Sequence, residues 1–217
     1  MLENLWAYLK AAGVIFLTSP VRLVKRFRQF STPAFIDSVV VAPILESEFR
    51  RKLQPPEKLT ESLGIEFGIT VIELGCGPGV YTTAFAKTIG NDNKLYAVDF
   101  KPEMIDRLKR KLEEPEYKDV RNIETKVASA YELPFQDESI DLVIMVGVLP
   151  EIPDKGKALK EIHRILKPNG SLAISENLID PDYPIRRTTR KYCEQCGYKM
   201  QEASGNSFGY TLQFRKD

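Results

Sequence analysis

The chain has 217 residues, of which 43% are hydrophobic and 28% charged, which is ordinary for a folded globular protein. Lys and Arg number 31 against 30 Asp and Glu, and a net charge of +1 excludes a global field that would hold nucleic acid. Three cysteines without a secretory cleavage pattern exclude a disulfide framework, and we expect a cytoplasmic protein.

Residues 1–54 differ from the rest of the chain and are predicted to form a helical extension broken by prolines. Residues 5–17 are apolar except for Lys10, and a basic stretch over residues 22–28 follows them. This run is shorter than the roughly 20 residues that span a membrane. Two interpretations stay open for residues 1–30: a helix packed on the protein's own domain as a lid, or an interfacial helix peripheral to a membrane.

Residues 55–217 are predicted to form one domain in which strands and helices alternate. The expected helices cover residues 56–64, 80–89, 102–112, 155–166 and 184–196. The expected strands cover residues 69–74, 94–99, 122–128, 140–146 and 171–175, with a terminal hairpin of 198–203 and 208–214. The near-continuous apolar strands predict a mostly parallel, seven-stranded sheet covered by helices on both faces, which is a three-layer αβα sandwich with an antiparallel edge.

Ligands of such sheets bind outside the carboxyl ends of the strands, at the point where the strand order reverses. The residues that follow the predicted strands are 73–82, 99–104, 129–131, 145–151 and 176–183. We therefore expect the chemistry of this protein in these five segments.

The strongest signal is a glycine loop, residues 73–79, which reads ELGCGPG between a predicted strand and a predicted helix. Glycines let the chain turn sharply and bring bare backbone against a ligand, and the free N–H groups at the helix start favour an anionic group. The dinucleotide fingerprint G-x-G-x-x-G needs a third glycine at position 80, where this chain has Val80. The spacing therefore does not meet the NAD signature.

An acidic residue, Asp99, closes the second predicted strand. A carboxylate at this place can accept hydrogen bonds from both hydroxyls of a ribose, whichever adenosine ligand carries it. Phe100 and Met104 follow, and two interpretations stay open for them: contact with the adenine ring, or ordinary core packing.

Four segments in order, VIELGCGPGVYT, YAVDFKPEM, ASAYELPFQDESIDLVIM and ALKEIHRILKPNGSLAI, resemble the motifs of class I S-adenosylmethionine (SAM)-dependent methyltransferases. The type 11 branch, which includes quinone-biosynthesis C-methyltransferases, is the most similar group. The resemblance covers residues 55–215 and implies a Rossmann-like fold with SAM as cofactor. The residues that it implies for cofactor binding are Glu73, Gly75, Gly77, Gly79, Asp99, Ser129, Ala130, Met145 and Val146. Cys76, within the glycine loop, and Phe100 and Met104, after the second predicted strand, are further cofactor-binding candidates.

Within that set, the resemblance assigns the glycine loop to the methionine end of SAM and Asp99 to the ribose. Ser129 departs from the family pattern, which has an Asp beside the adenine amino group; a serine hydroxyl can accept a hydrogen bond there but carries no charge. Met145 and Val146 match the backbone segment that flanks the reacting sulfonium.

Methyl transfer from a sulfonium is an in-line displacement in which the protein mainly positions the reactants, so no single base is obligatory. Relatives often have a His pair after the fourth strand, where this chain reads Leu149-Pro150-Glu151. The catalytic candidates are therefore Glu151, which also fits a solvent-facing loop, Glu176 as a substrate contact and Tyr81 as a pocket wall. The catalytic residue itself is left unassigned.

The other reactive side chains fit structural roles. His163, the single histidine, falls inside a helix away from the expected mouth of the sheet. Cys193 and Cys196 form a lone CxxC without a second ligand pair, so we expect no metal site.

The predicted function is methyl transfer from SAM to a small, lipophilic acceptor, where the apolar and basic N-terminus is the reason for the word lipophilic. Ser129 and the missing His pair leave open a protein that binds SAM without transferring methyl groups. An NAD-linked oxidoreductase is a further alternative, against which Val80 argues. No nucleic-acid partner is expected, because the chain lacks the Asn/Asp-Pro-Pro-Tyr/Phe motif and an aromatic-studded basic patch.

Overall fold

The structure is a computed structural model that describes residues 54–177, 184–206 and 209–217. All of them belong to one of the two units into which the chain divides, residues 42–217. The helical extension predicted for residues 1–54 thus lies outside the described residues, except for Gln54. Residues 178–183, most of the last segment expected to carry chemistry (176–183), lie outside them too.

Helices and strands alternate along the described part of the chain, as the sequence predicts. The helices are α1 (Pro56–Ser62), α2 (Thr82–Ile89), α3 (Pro102–Leu112), α4 (Lys155–Ile165) and α5 (Arg186–Glu194). The strands are β1 (Val71–Leu74), β2 (Leu95–Asp99), β3 (Ile123–Val127), β4 (Ile140–Val146), β5 (Leu166–Asn177), β6 (Tyr198–Gly205) and β7 (Gly209–Lys216).

The strands form a seven-stranded sheet in the order β3-β2-β1-β4-β5-β7-β6. The first five of these run parallel, and β7 is antiparallel to both β5 and β6. The chain builds outward from β1 to β3 and then returns to place β4 on the other side of β1. This reversal opens a crevice at the carboxyl ends of β1 and β4, where such sheets bind ligands.

Strand β4 shows how the sheet is covered on both faces. Leu142 and Ile144 pack with residues of α1 and α2, whereas Val143 and Met145 pack with residues of α4 and α5. Successive side chains of a strand point to opposite faces, so this alternation assigns the two helical layers to the two sides of the sheet. The three-layer αβα sandwich predicted from the sequence is confirmed.

Strand β5 is longer than predicted. Leu166 pairs with Ile140 directly after α4, and the next pair, Ser171 with Leu142, follows a break in the register. The intervening turn bulges out of the sheet, and Asn169 in it has a positive φ of 64°. Helix α4 therefore ends just before the Pro-Asn-Gly turn, and β5 has residues on both sides of this turn.

No helix in the described ranges is long and apolar enough to cross a membrane.

Candidate functional site

The loop between β1 and α2 is tied to β2 by backbone hydrogen bonds. The N–H groups of Gly75 and Cys76 both donate to the carbonyl of Val98, at 2.7 and 3.1 Å. The N–H of Gly77 donates to Oδ2 of Asp99 at 2.9 Å. The N–H groups of these three loop residues thus hold the loop in shape.

The start of α2 lacks a side-chain cap among the described residues. Its N-cap residue is Tyr81. The first N–H groups of a helix have no partner within the helix, and they favour negative charge. A carboxylate at this place would be stabilised by that turn.

The three glycines of the loop are needed for different reasons. A Cβ on Gly75 would collide with Val148, and one on Gly79 would collide with Leu108, so these two permit close packing. A Cβ on Gly77 would meet nothing within 4 Å, yet the residue has a φ of +55°. Gly77 therefore faces open space at the mouth of the sheet. Its backbone conformation is one that residues with a side chain adopt only at an energetic cost.

Glu73, on β1, is a buried carboxyl beneath the glycine loop. Its side chain is 3% exposed, and Oε2 has no hydrogen-bond partner among the residues that the structure describes. Burial raises the pKa of Glu73 to about 8, against which the Thr82 hydroxyl and the charge of Lys111 act. An unpartnered buried carboxyl oxygen is costly, and it fits a cationic donor such as an ammonium group.

Asp99 ends β2, and its two oxygens shape the neighbouring loops. Oδ2 accepts the N–H of Gly77, and Oδ1 accepts the N–H of Lys101 at 2.9 Å. Burial raises the pKa of Asp99, while these two hydrogen bonds lower it. Each carboxylate oxygen has a second lone pair, so the group can still accept hydrogen bonds from a ligand.

Exposed apolar side chains flank Asp99 at the carboxyl ends of β2 and β3. Phe100 is 65% exposed and Val127, which pairs with Asp99 across the two strands, is 51% exposed. Met104 is buried, unlike the exposed Phe100, although the sequence left the same two interpretations open for both residues. Val127 is a site candidate that the sequence analysis missed, because an apolar residue in a predicted strand is normally assigned to the core.

Ser129 and Ala130 lie just beyond the end of β3. Ser129 is exposed, its hydroxyl oxygen accepts the N–H of Tyr131 at 3.2 Å, and Ala130 is half-buried. The N–H of Ala128 donates to the carbonyl of Asp99 at 3.0 Å, which holds this turn beside β2. Ser129 is therefore close to the end of β2 and accessible.

Met145 and Val146 end β4, next to β1. Both side chains are buried, Met145 toward α4 and α5 and Val146 toward α1 and α2. The backbone of these residues is consequently the part that can face a ligand. Val148 follows them and packs against Gly75, so the end of β4 is in contact with the glycine loop.

A network of uncharged polar groups spans the end of β4, and the sequence did not indicate it. Oε1 of Gln54 accepts hydrogen bonds from the hydroxyl of Tyr81 and from Nδ2 of Asn177, both at 3.2 Å. Nε2 of Gln54 donates to the hydroxyl of Ser175 at 2.8 Å. Tyr81 follows β1 whereas Ser175 and Asn177 belong to β5, so Gln54 bridges the strands on either side of β4.

The three catalytic candidates lie in different surroundings. Tyr81 is buried and belongs to the Gln54 network. Glu151 is exposed in a short turn after β4, as a solvent-facing acid would be. Glu176 is fully buried near the end of β5. The structure therefore does not bring the three together.

His163 lies near the C-terminus of α4, three residues before the amino end of β5. Its ring packs against that of Tyr198, with 5.4 Å between the centroids. Burial lowers the pKa of His163. This places His163 at the edge of the sheet opposite the glycine loop, as the sequence indicated.

Cys193 is buried and Cys196 half-buried at the end of α5, and burial raises the pKa of both thiols. Raised thiol pKa values are the opposite of what reactive cysteines show. Among the described residues no group of three or more His, Cys, Asp or Glu side chains could hold a metal ion.

Comparison with known proteins identifies the domain that carries this site. Residues 72–174 match the type 11 family of the methyltransferase domain. The chain is 35% identical over 157 residues to an uncharacterized methyltransferase of Schizosaccharomyces pombe, which covers 70% of this chain and 58% of that protein. It is 33% identical over 129 residues to a demethylmenaquinone methyltransferase of Lactobacillus johnsonii, which covers 59% of this chain and 52% of that protein.

The chain thus spans between half and three fifths of the length of these curated relatives. Among solved structures, a SAM-dependent methyltransferase from Aquifex aeolicus superimposes with a TM-score of 0.75 at 21% identity. The match covers 85% of this chain and 99% of that one, and it supports the fold. From its matching residues and its relatives, the chain contains a methyltransferase domain of the type 11 family, and its fold is that of the class I SAM-dependent methyltransferases.

Proposed function

We propose that this chain binds SAM across the carboxyl ends of β1, β2 and β4 and transfers its methyl group to a small, quinone-like acceptor. The observation that carries the proposal is the combination of an open Gly77 with two buried carboxyls, Glu73 and Asp99, on either side of it. This arrangement offers bare backbone together with acceptors for an ammonium group and for a ribose.

The residues around the glycine loop fit the amino-acid end of SAM. Oε2 of Glu73, unpartnered among the described residues, would accept a hydrogen bond from the ammonium group. The uncapped first turn of α2 would favour the carboxylate. Both charges of the amino acid would then meet opposite partial or full charges on the chain.

The residues after β2 and β3 fit the adenosine end. Asp99 would accept the two ribose hydroxyls with the lone pairs that Gly77 and Lys101 leave unused. Phe100 and Val127 would pack on the faces of the adenine ring, which gives their exposed surfaces a partner. Ser129 and Ala130 would lie beside the adenine amino group, while the buried Met104 would support the pocket from below.

SAM supplies the activated methyl group, so the chain has to align the acceptor with it and exclude water. The backbone of Met145 and Val146 would flank the reacting end of the cofactor. The Gln54 network spans the end of β4 and would form the acceptor side, with Tyr81 as one wall. Glu151 stays the candidate for a base and Glu176 the candidate for a substrate contact, because an oxygen or carbon acid has to lose its proton when it is methylated.

The acceptor class is inferred from two features. Several similar proteins are demethylmenaquinone methyltransferases, and the polar Gln54 network suits the oxygen atoms of a hydroxylated ring. A lipophilic acceptor is also consistent with membrane contact through residues 1–30. Flotation of the chain with anionic liposomes, with and without those residues, tests that contact; equal partitioning of both proteins would exclude it.

Isothermal titration of the full-length chain with SAM and with NAD tests the cofactor. We expect SAM to bind and NAD not to displace it, and tighter binding of NAD would instead support an oxidoreductase. Release of S-adenosylhomocysteine is then measured with reduced naphthoquinones, and with catechols and thiols as comparison acceptors. SAM binding without release on any acceptor would support the alternative of a binding protein without transferase activity.

A further inference from the structure

The geometry points to Lys111 as a positioning residue of the SAM site, one that anchors the glycine loop and places a positive charge beside Glu73. This inference rests on the proposed function, because Lys111 acts through two groups assigned there to the methionine end of SAM. Nothing in the sequence motifs indicates it, since Lys111 lies 32 residues after the loop, in the last turn of α3.

Helix α3 holds the glycine loop at two successive turns. Nζ of Lys111 donates a hydrogen bond to the carbonyl of Gly79. One turn earlier, Leu108 packs where a Cβ of Gly79 would lie. Residues three apart on a helix share a face, so Leu108 and Lys111 contact the end of the loop from the same face of α3.

The lysine is itself held in place. Lys111 is half-buried, and Nζ lies 5.5 Å from the centroid of the Tyr117 ring, which follows α3. A cation over an aromatic face is attracted by the ring. The side chain thus reaches Gly79 from a supported position on α3.

The charge of Lys111 matters because Glu73 is surrounded by groups that disfavour its ionised form. Burial raises the pKa of Glu73 most, and the charge of Asp99 on β2 raises it further. From α2, only the uncharged hydroxyl of Thr82 opposes this. Among the described residues, the positive charge that acts on Glu73 is that of Lys111.

Binding of an ammonium group requires Glu73 to be ionised, while its burial raises its pKa to about 8. Near neutral pH Glu73 is therefore protonated in the larger fraction of the molecules, and SAM binding has to displace that proton. Without Lys111 the fraction would grow, and the affinity for SAM would fall until the pH is high enough to ionise Glu73 again.

The test compares the dissociation constants of SAM for wild type and for Lys111→Met between about pH 6.5 and pH 9.5. The ammonium group of SAM titrates in the same way in both experiments, so its effect cancels in the ratio of the two constants. The pH dependence of this ratio therefore reports the titration of groups of the protein. We expect a ratio of about tenfold near neutral pH, the effect of a pKa change of about one unit. The ratio should decline above pH 8, as Glu73 ionises in both proteins.

Three variants serve as controls. Lys111→Arg keeps the charge and should stay within about threefold of wild type at every pH. Lys109→Met removes an exposed lysine from the same helix end and should change nothing. In the background of Glu73→Gln, Lys111→Met should give a ratio that no longer depends on pH.

A ratio that stays constant over the whole pH range would overturn the inference, because a purely structural effect of Lys111 does not follow the ionisation of Glu73. If Lys111→Met does not fold, Lys111→Gln is measured in the same way and judged by the same outcome. A wild-type chain that does not bind SAM at any pH contradicts the proposed function instead, and the two failures are therefore distinguishable.

Discussion

The carboxylate of Asp99 accepts the backbone N–H of Gly77, with 2.9 Å between Oδ2 and the nitrogen. The residue proposed to bind the ribose of SAM therefore also holds the glycine loop that lies against its amino-acid end. This hydrogen bond connects the proposed ribose site with the glycine loop, so a change at Asp99 should affect both.

Replacement of Asp99 tests the two roles together. Asp99→Ala removes the acceptors for Gly77 and for the ribose, and we expect SAM affinity to fall by about 1.5–3 kcal/mol, the scale of hydrogen bonds to a charged group. Titration calorimetry measures this loss, with Asp106→Ala on the exposed face of α3 as the control. Unchanged affinity in a folded Asp99→Ala protein would remove Asp99 from the site.

Gly77 and Gly68 form a matched pair for testing the open space in the loop. Both have positive φ, and a Cβ on either meets nothing within 4 Å, but only Gly77 lies in the glycine loop. An alanine should destabilise the fold at either position by roughly 1–2 kcal/mol. We expect only Gly77→Ala to lose SAM affinity, by about tenfold or more, since its methyl group would enter the ligand's space. Equal affinities of the two variants would show that the space is not the binding site.

The stability of the chain without SAM should depend on pH through Glu73. Its pKa of about 8 in the fold lies above the ordinary value of 4.5, so the folded chain keeps a proton that the unfolded chain has lost. The free energy of unfolding therefore falls as the pH rises from about 4.5 to about 8. Asp99, whose pKa is also raised, contributes with the same sign.

Glu73→Gln tests this dependence because it cannot ionise. We expect urea unfolding to show a smaller loss of stability between these pH values for the variant than for wild type. Glu57→Gln, an exposed acid in the first turn of α1, is the matched control and should follow the wild-type curve. A Glu73→Gln curve parallel to that of wild type would contradict the assignment of the raised pKa.

Arg164 should stabilise the segment between β3 and β4 without contributing to ligand binding. Its guanidinium donates to both carboxylate oxygens of Glu161, at 2.9 and 2.7 Å, and to the carbonyls of Leu133 and Phe135 at 3.1 and 3.0 Å. Lysine cannot reproduce this forked geometry. Arg164→Lys should therefore lower the free energy of unfolding by about 1–3 kcal/mol.

Urea unfolding measures that loss, and SAM titration checks that affinity stays within about twofold of wild type. The exposed Lys160, on the same helix, gives the control variant Lys160→Met. Wild-type stability of Arg164→Lys would mean that these hydrogen bonds are replaced by water without loss.

The sequence predicted the sheet and the loop well because both leave local patterns. Runs of apolar residues such as 140–146 mark strands buried on both faces, and three alternate glycines after such a run mark a turn with bare backbone. The strand bounds then locate Asp99 and Ser129 at one edge of the sheet without further information.

The contacts that sequence analysis missed join residues that are far apart along the chain. Gln54 meets Ser175 across 121 residues, and Lys111 meets Gly79 across 32. Neither residue carries a pattern, since a polar residue before two prolines and a lysine at a helix end are both typical of solvent-exposed positions. Only the packing of α1 and α3 on the sheet shows what these side chains reach.

A crystal structure of the chain with bound S-adenosylhomocysteine decides whether Glu73, Gly77 and Asp99 form the SAM site. We expect the ammonium group within hydrogen-bond distance of Glu73, backbone contact at Gly77 and both ribose hydroxyls on Asp99. A ligand bound at another edge of the sheet, or one whose ribose faces away from Asp99, would contradict this expectation.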